Sequence, residues 1–318
     1  MNSEELYNKY STNLKQKYGE KVYKIPINLP TTCPNRDGTC GVGGCIFCGT
    51  EGAGFELLSN KYSIKKQLDK NIGYIGKRYG AKKFIAYFQN FTNTYMPIED
   101  FKQYIREVIH PSVVEIAIST RPDCIHEEYL EALQDLENET GLRMSIELGL
   151  QTINYHTLSK INRGHGLAEF LDAVLRIKKY GFEICTHLIL NLPWDNQRDV
   201  IENAKVLSVL SVDQIKLHAL YIVQDTVLGQ WYQAGGIKMI SLDEYIERII
   251  CFLEYLDPSI VIQRLIGRAP QERTLFVNWN TSWWKIQEKI EEKMRIEHRY
   301  QGRLFDYTNG KAVRHFLK

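Results

Sequence analysis

Apolar residues in this chain fall into short, nearly unbroken runs separated by longer amphipathic stretches. The runs VYKIPINL (22–29), KFIAYF (83–88), VVEIAIS (113–119), RMSIELGL (143–150), FEICTHLIL (182–190) and DQIKLHALYI (213–222) read as strands. Between them, residues 63–79, 98–109, 126–137, 167–180 and 197–210 read as helices; Leu171, Val174, Leu175 and Lys178 mark the helical interval in one of them. Strand and helix alternate about six times, which predicts right-handed βαβ units and a parallel sheet. Runs that are apolar almost throughout suit strands covered on both faces. The rhythm stops near Asp257–Pro258, beyond which the chain turns aromatic and basic. We therefore expect an N-terminal segment (1–21), a main α/β domain (22–257) and a C-terminal extension (258–318).

Such a sheet is either an open doubly wound layer or a closed or partial barrel. In both, chemistry gathers at the C-terminal ends of the strands. The unusual polar segments of the chain fall there. A Cys-rich loop follows the first run, QNFTNTY the second, TRPD the third, Gln151 the fourth and NLPWD the fifth. Five polar signatures at one end of one sheet point to a single large site.

Composition narrows the class. The chain has 318 residues, 44% hydrophobic and 25% charged, with a net charge of +2. No stretch approaches the roughly 18 apolar residues of a membrane span. The polar start, MNSEELYNKYSTNLKQKYGE, lacks the apolar core of a signal peptide, so a cytoplasmic location is expected. The seven cysteines are odd in number and unevenly spread, unlike a secreted disulfide scaffold. Cys124, Cys185 and Cys251 stand singly and read as small core residues.

The other four crowd into TCPNRDGTCGVGGCIFC (32–48), together with four glycines. Cys45 and Cys48 form CxxC, a spacing that lets two thiolates grip one metal centre. Eleven residues separate Cys33 from Cys45, and Cys40 lies between. A closed zinc site would use all four thiolates and leave the other polar signatures unexplained. A thioredoxin-like pair needs a helix start, whereas Gly49, Gly52 and Gly54 follow. A [4Fe–4S] cluster on three thiolates leaves one iron open to a small chelator. Pro34 and Asp37–Gly38 are turn formers, and Gly41, Gly43 and Gly44 let backbone approach such a cluster.

CPNRDGTCGVGGCIFC, with an aromatic before its last Cys, resembles the cluster loop of the radical S-adenosylmethionine (radical SAM) enzymes. The long spacing resembles the subgroup that includes the Elongator catalytic subunit, and more closely a bacterial family of the YtqA/YhcC type. YFQNFTNTY, STRPD, IELGLQT, INRGH, HLILNLP, RLIGRAP and the NWN…WWK tail continue the likeness across nearly the whole chain. It implies an α/β fold: a partial (β/α)6 TIM-type barrel with a small C-terminal α+β extension. It also implies that Cys33, Cys45 and Cys48 hold a [4Fe–4S] cluster, with Cys40 outside the ligand set. The open iron would bind the amino and carboxylate groups of S-adenosylmethionine. One electron, from a low-potential donor such as flavodoxin or ferredoxin, would then yield a 5′-deoxyadenosyl radical that takes hydrogen from an inert C–H bond.

On the same basis Arg163 is expected to fork the cosubstrate carboxylate. Gln89 would accept from its amino group. Glu147 and Gln151 would reach ribose hydroxyls or the methionine end, with Ser119 and Thr120 in the same pocket. Phe47 would pack on adenine and Leu192 would present main chain to its edge. Arg121 and Asp123 read equally well as an internal ion pair bracing the loop. His187 and His218 read as hydrogen-bonded core residues ahead of substrate contacts. The tail, 281–318, carries nine Lys/Arg against five Asp/Glu, a net of +4 against −2 for the rest. Trp279, Trp283, Trp284, Tyr300, Phe305 and Tyr307 interleave with that charge, as in RNA-binding surfaces. Its competing reading is an amphipathic helix docking through Ile286, Ile290 and Met294. The Elongator resemblance favours an RNA substrate, a tRNA base. A small metabolite or a protein substrate, or a non-catalytic Fe–S or zinc module that binds RNA, are the alternatives.

Overall fold

The computed structural model describes residues 5–50, 52, 54, 57–270 and 272–317. Seven strands form one parallel sheet: β1 (Val22–Asn28), β2 (Lys83–Gln89), β3 (Val113–Thr120), β4 (Arg143–Gln151), β5 (Glu183–Ile189), β6 (Gln214–His218) and, at the far edge, β8 (Val261–Arg264). β7 (Ile222–Val223) and β9 (Thr274–Phe276) pair antiparallel beside it. The helices are α1 (Tyr10–Tyr18), α2 (Ile64–Tyr79), α3 (Ile98–Arg106), α4 (Glu127–Thr140), α5 (Tyr155–Lys160), α6 (Leu167–Lys179), α7 (Gln197–Val209), α8 (Val227–Gln233), α9 (Leu242–Tyr255) and α10 (Trp283–Ile296). None among the described residues is long and apolar enough to cross a membrane.

The strand order follows the chain, so each βα unit adds a neighbour and the sheet curls into a partial barrel, as expected. Local chemistry sets the elements. Ser63 caps α2 through the Lys66 amide, Asn196 caps α7 and Ser241 caps α9. Left-handed Gly80 and Gly141 end α2 and α4. The outer faces of β3 to β5 bury Ile116, Ile118, Ile146, Leu148 and Ile184 beneath the helices.

Two features differ from the sequence reading. The 213–222 run is not one strand. Asn191 accepts from the Leu220 amide at 2.7 Å and pulls the chain out of the sheet after His218; Ile222 then pairs with β9. The sheet also continues past residue 257, because β8 pairs with β6. The N-terminal segment joins it there: Lys9 bridges Ile262, and the Ile262 amide donates to Asn8 at 2.8 Å. From that edge α1 crosses the lower end of the barrel, where Tyr10, Leu14 and Tyr18 pack with Ile85, Tyr87 and Ala117.

The tail helix docks by packing. Ile286, Ile290 and Met294 are fully buried, and α10 lies against α9. Arg299 clasps Glu254 at 2.6 Å and Glu247 at 2.7 Å. Fully buried Gln301 ties three segments together. Its Oε1 accepts from the Asn8 amide (2.9 Å), and its Nε2 donates to the carbonyls of Asp257 (2.7 Å) and Ile260 (2.9 Å). Gln301→Leu strands three backbone groups and is expected to cost about 3 kcal/mol. Urea unfolding checks this: Tyr300→Ala next door should shift stability by no more than about 0.5 kcal/mol, and an unmoved midpoint for Gln301→Leu would refute the clasp.

Candidate functional site

After β1 the chain winds 33–48 around one buried side chain, Asn35. Its Nδ2 donates to the Asn162 carbonyl at 2.6 Å and lies 3.8 Å from Cys45 Sγ. The fit leaves no room for a Cβ. One added at Gly41 would come within 2.2 Å of Asn35 Oδ1, and one at Gly164 (φ +78°) within 2.5 Å. Gly41 in this loop and Gly164 across from it are therefore packing requirements of Asn35, whereas Gly44 makes room for Arg36.

Three arginines surround the cysteines. Arg36 donates to the carbonyls of Cys48 and Thr50 at 3.2 Å and to that of Gly49. Arg121, 2% exposed, forks Asp123 at 2.9 and 2.7 Å, donates to the Arg163 carbonyl at 2.8 Å and stands 3.9 Å from Cys33 Sγ. Arg163 reaches Cys45 Sγ at 3.5 Å and the Gly149 carbonyl at 2.6 Å. Without metal, burial and neighbouring Cys45 push the Cys48 thiol up to about 11. A metal must displace that proton, and the flanking guanidinium groups favour the thiolate that results.

The donor set fits a cluster better than a single ion. A thiolate pair on one zinc stands roughly 3.8 Å apart, from Zn–S bonds of about 2.3 Å. Among the described residues, the ligand atoms that gather within 4.8 Å as a set of three belong to Glu147, Cys185 and His187. Cys40 is exposed on the outer turn. Arg163 Nε, beside Cys45, is buried without a partner and leaves a donor for a ligand; His165 Nε2 is also buried without a partner and leaves an acceptor, since Nδ1 faces the Gly166 carbonyl at 3.2 Å.

Below the loop the barrel is polar inside. Strand alternation turns Lys24, Tyr87, Glu147, His187, Lys216 and Gln263 inward. Glu147 is completely buried. One oxygen takes Lys24 and Gln263 Nε2 (3.1 Å), and the other takes His187 Nε2 (2.7 Å) and Lys216 (2.9 Å). Burial opposes its ionisation, but the two lysines and His187 hold its carboxyl well below the usual range. Burial depresses Lys216 to about 8 against the pull of Glu147. Burial, then Lys216, lowers His187 to about 4; burial and Arg264 hold His218 far below its ordinary value. Both imidazoles are neutral, and each is hydrogen-bonded, as expected.

The remaining expected site residues divide. Gln89 and Gln151 end β2 and β4 at the loop end of the barrel, half-buried, and Ser119 faces inward opposite Glu147. Phe47 and Leu192 share one apolar cluster with Ile46 and Ile189; the Leu192 carbonyl accepts from the Asp195 amide at 3.1 Å. Thr120 points to the other face of β3, where its hydroxyl meets Thr94 Oγ1 at 2.6 Å, so it is outside the pocket. Glu147 is corrected too. Four protein donors saturate its carboxylate, which leaves nothing for a ribose. Arg163 spends both terminal nitrogens on Cys45 and Gly149 instead of an open fork. Arg121 and Asp123 form the internal pair. Lys24, Asn35, Lys216 and Arg264 were not singled out from the sequence, although Lys24 and Lys216 are lone charges inside apolar strands.

Residues 27–207 match the family model described as the radical SAM superfamily, and 212–296 match its C-terminal domain. The chain therefore belongs to the radical SAM enzymes, whose cofactors are a [4Fe–4S] cluster and S-adenosylmethionine. Within them it belongs to the YtqA/YhcC-type family. YtqA of Bacillus subtilis is 32% identical over 312 residues, covering 96% of this chain and 94% of its own. YhcC of Escherichia coli is 30% identical over 303 residues, covering 95% and 96%. The structure of Methanocaldococcus infernus Elp3 lacking its N-terminus shares the fold, with a TM-score of 0.68 at 17% identity over 88% of this chain and 64% of its own.

Two expectations follow. Gly164→Ala adds a Cβ against Asn35 at a backbone angle alanine avoids, so iron bound on reconstitution should drop severalfold while far-UV circular dichroism is unchanged; full iron content would contradict the Asn35 packing. The neutral histidines make stability pH-dependent. Their unfolded forms bind protons near 6.5, whereas folded His187 waits until about 4. Stability should thus fall as pH drops from about 6.5 to about 4, by at most ~1.4 kcal/mol per pH unit for each histidine. Urea midpoints measured for His187→Gln should show a shallower slope than the wild type.

Proposed function

We propose that this enzyme uses its barrel to generate a 5′-deoxyadenosyl radical and direct it at a C–H bond of an RNA base, in tRNA. Cys33, Cys45 and Cys48 would hold the cluster, which when bound would supply the electron for cleavage of the cosubstrate sulfonium. The chain's own groups bind and orient. Arg163 Nε meets the cosubstrate carboxylate, while Gln89, Ser119 and Gln151 offer polar contacts at the strand ends. Phe47 and the Leu192 segment give adenine an apolar wall. A cytoplasmic setting with flavodoxin or ferredoxin as donor goes with this reading.

The observation that carries the RNA assignment lies just past β8. A hollow of about 800 Å³ opens there, lined by Arg268, Asn280, Thr281, Trp283 and Trp284 among others. Arg268 lies over the Trp283 ring at 6.0 Å and Lys285 over Trp284 at 5.4 Å; Trp284 is 46% exposed. Cation and ring together suit phosphate and base. A tRNA uridine(34) acetyltransferase of Methanocaldococcus jannaschii, 25% identical over 52% of this chain and 30% of its own, supports the same substrate class. A small anionic substrate is the second reading, favoured by the cationic chamber.

Anaerobically reconstituted protein should release 5′-deoxyadenosine under dithionite. Cys33→Ala, Cys45→Ala and Cys48→Ala should each abolish this, and Cys40→Ala should retain it. Mass spectrometry of tRNA nucleosides from a deletion strain should reveal a missing or precursor nucleoside. An unchanged profile would turn the assignment to a small molecule.

A further inference from the structure

The inner chamber has more positive charge than it can neutralise. Lys24 and Lys216 share the single carboxylate of Glu147. Arg264, at the end of β8, has no carboxylate at all. Its Nε donates to the Leu217 carbonyl at 3.3 Å, and its Nη2 donates to His218 Nδ1 at 2.7 Å. Among the described residues nothing accepts from Nη1. One layer lower, Lys17 is already taken by Glu115 and Glu183.

Position separates Arg264 from the cosubstrate donors. Arg163 stands at the cysteines on the β4 side, whereas Arg264 rises from β8 across the barrel. Arg264 ends β8 and its partner His218 ends β6, so both stand at the strand ends from which, after β1, the cluster loop departs. Charge points the same way. Three thiolates on a cluster of two positive charges leave one net negative charge. S-adenosylmethionine, with sulfonium, ammonium and carboxylate, brings one net positive charge. Together they cancel and leave the Arg264 side of the chamber uncompensated, a costly state in a partly buried site.

Gly267 holds the guanidinium in place. A Cβ at that position would come within 2.7 Å of Arg264 Cζ and 2.9 Å of Nη2. Its backbone angle is ordinary, so the glycine answers to the side chain it lies against and not to a turn.

We infer that Arg264, seated on Gly267 and steadied by His218, binds an oxyanion of the reacting substrate, a carboxylate or a phosphate, inside the barrel. The inference rests on the chamber being the site of radical formation and is independent of the RNA assignment. The neutral His218 accepts from Nη2 and turns Nη1 toward the ligand, and Lys216 adds long-range attraction. An RNA substrate meets this requirement with the phosphate of its target nucleotide, a small acid with its carboxylate.

Anaerobic isothermal titration calorimetry on cluster-loaded protein saturated with S-adenosylmethionine tests this, with uridine 5′-monophosphate and succinate as probes. At least one probe should bind, and the one preferred identifies phosphate or carboxylate. Arg264→Gln should weaken binding by about tenfold or more. Gly267→Ala keeps every charge but displaces the guanidinium, and should weaken it comparably; it decides the matter if Arg264→Gln folds poorly. No binding of either probe, affinity unchanged in Gly267→Ala, or competition between probe and S-adenosylmethionine would each overturn the inference. The reduced-cluster electron paramagnetic resonance signal and 5′-deoxyadenosine release by wild-type protein report separately on the radical reading.

Discussion

A single buried carboxylate organises the barrel. Glu147 projects from β4 into the buried barrel interior and is met by Lys24 from β1, His187 from β5, Lys216 from β6 and Gln263 from β8. Removing it would leave two buried lysines with neutral partners alone, Gln263 for Lys24 and Tyr87 for Lys216, and no countercharge, which costs several kcal/mol. An (β/α) barrel usually fills its interior with layers of branched apolar side chains. Here a charged layer stands in that place, and an apolar cluster that includes Tyr10, Leu14, Ile85 and Ala117 packs below it. The polar character continues above this layer, where His187 lies 5.1 Å from His218 and Arg264 donates to His218.

The cluster loop is bound to that chamber by the same economy of charge. Arg121 and Arg163 each touch a cysteine sulfur at one end and protein carbonyl or carboxylate at the other. They convert the ends of β3 and β4 into the floor on which the thiolates rest. Gly41, Gly149 and Gly164 are small because Asn35 and Arg163 occupy the space a Cβ would need. Loop conformation, thiolate electrostatics and sheet position are thus one construction, and a change at Asn35 would be felt at the sulfurs.

Much of the architecture was legible because it follows from periodicity. Five of the six apolar runs became strands at nearly their expected bounds, and the amphipathic stretches became the helices between them. The sixth run misled, since composition cannot reveal that Asn191 clamps Leu220 and ends β6 early. The short β8 escaped notice for a related reason: VIQR shows its strand character only by pairing with β6. Thr120 was placed in the pocket from its neighbourhood, and alternation along β3 turns it away. Glu147 and Arg163 were recognised as significant, but their partners lie on distant strands, so their occupation by protein groups could not be read in advance.

By itself the sequence determined the alternation of strands and helices, the class of sheet, and a cysteine-rich loop at its functional end. Those properties reside in local spacing and residue type, which act over a turn or a pleat. Tertiary structure alone decided which charges are neutralised and which stand open. Lys24 and Lys216 find Glu147, Arg163 is drawn to Cys45, and Arg264 is left with an imidazole and a backbone carbonyl. Charge compensation depends on distances between residues far apart in the chain, and only the curled sheet sets those distances.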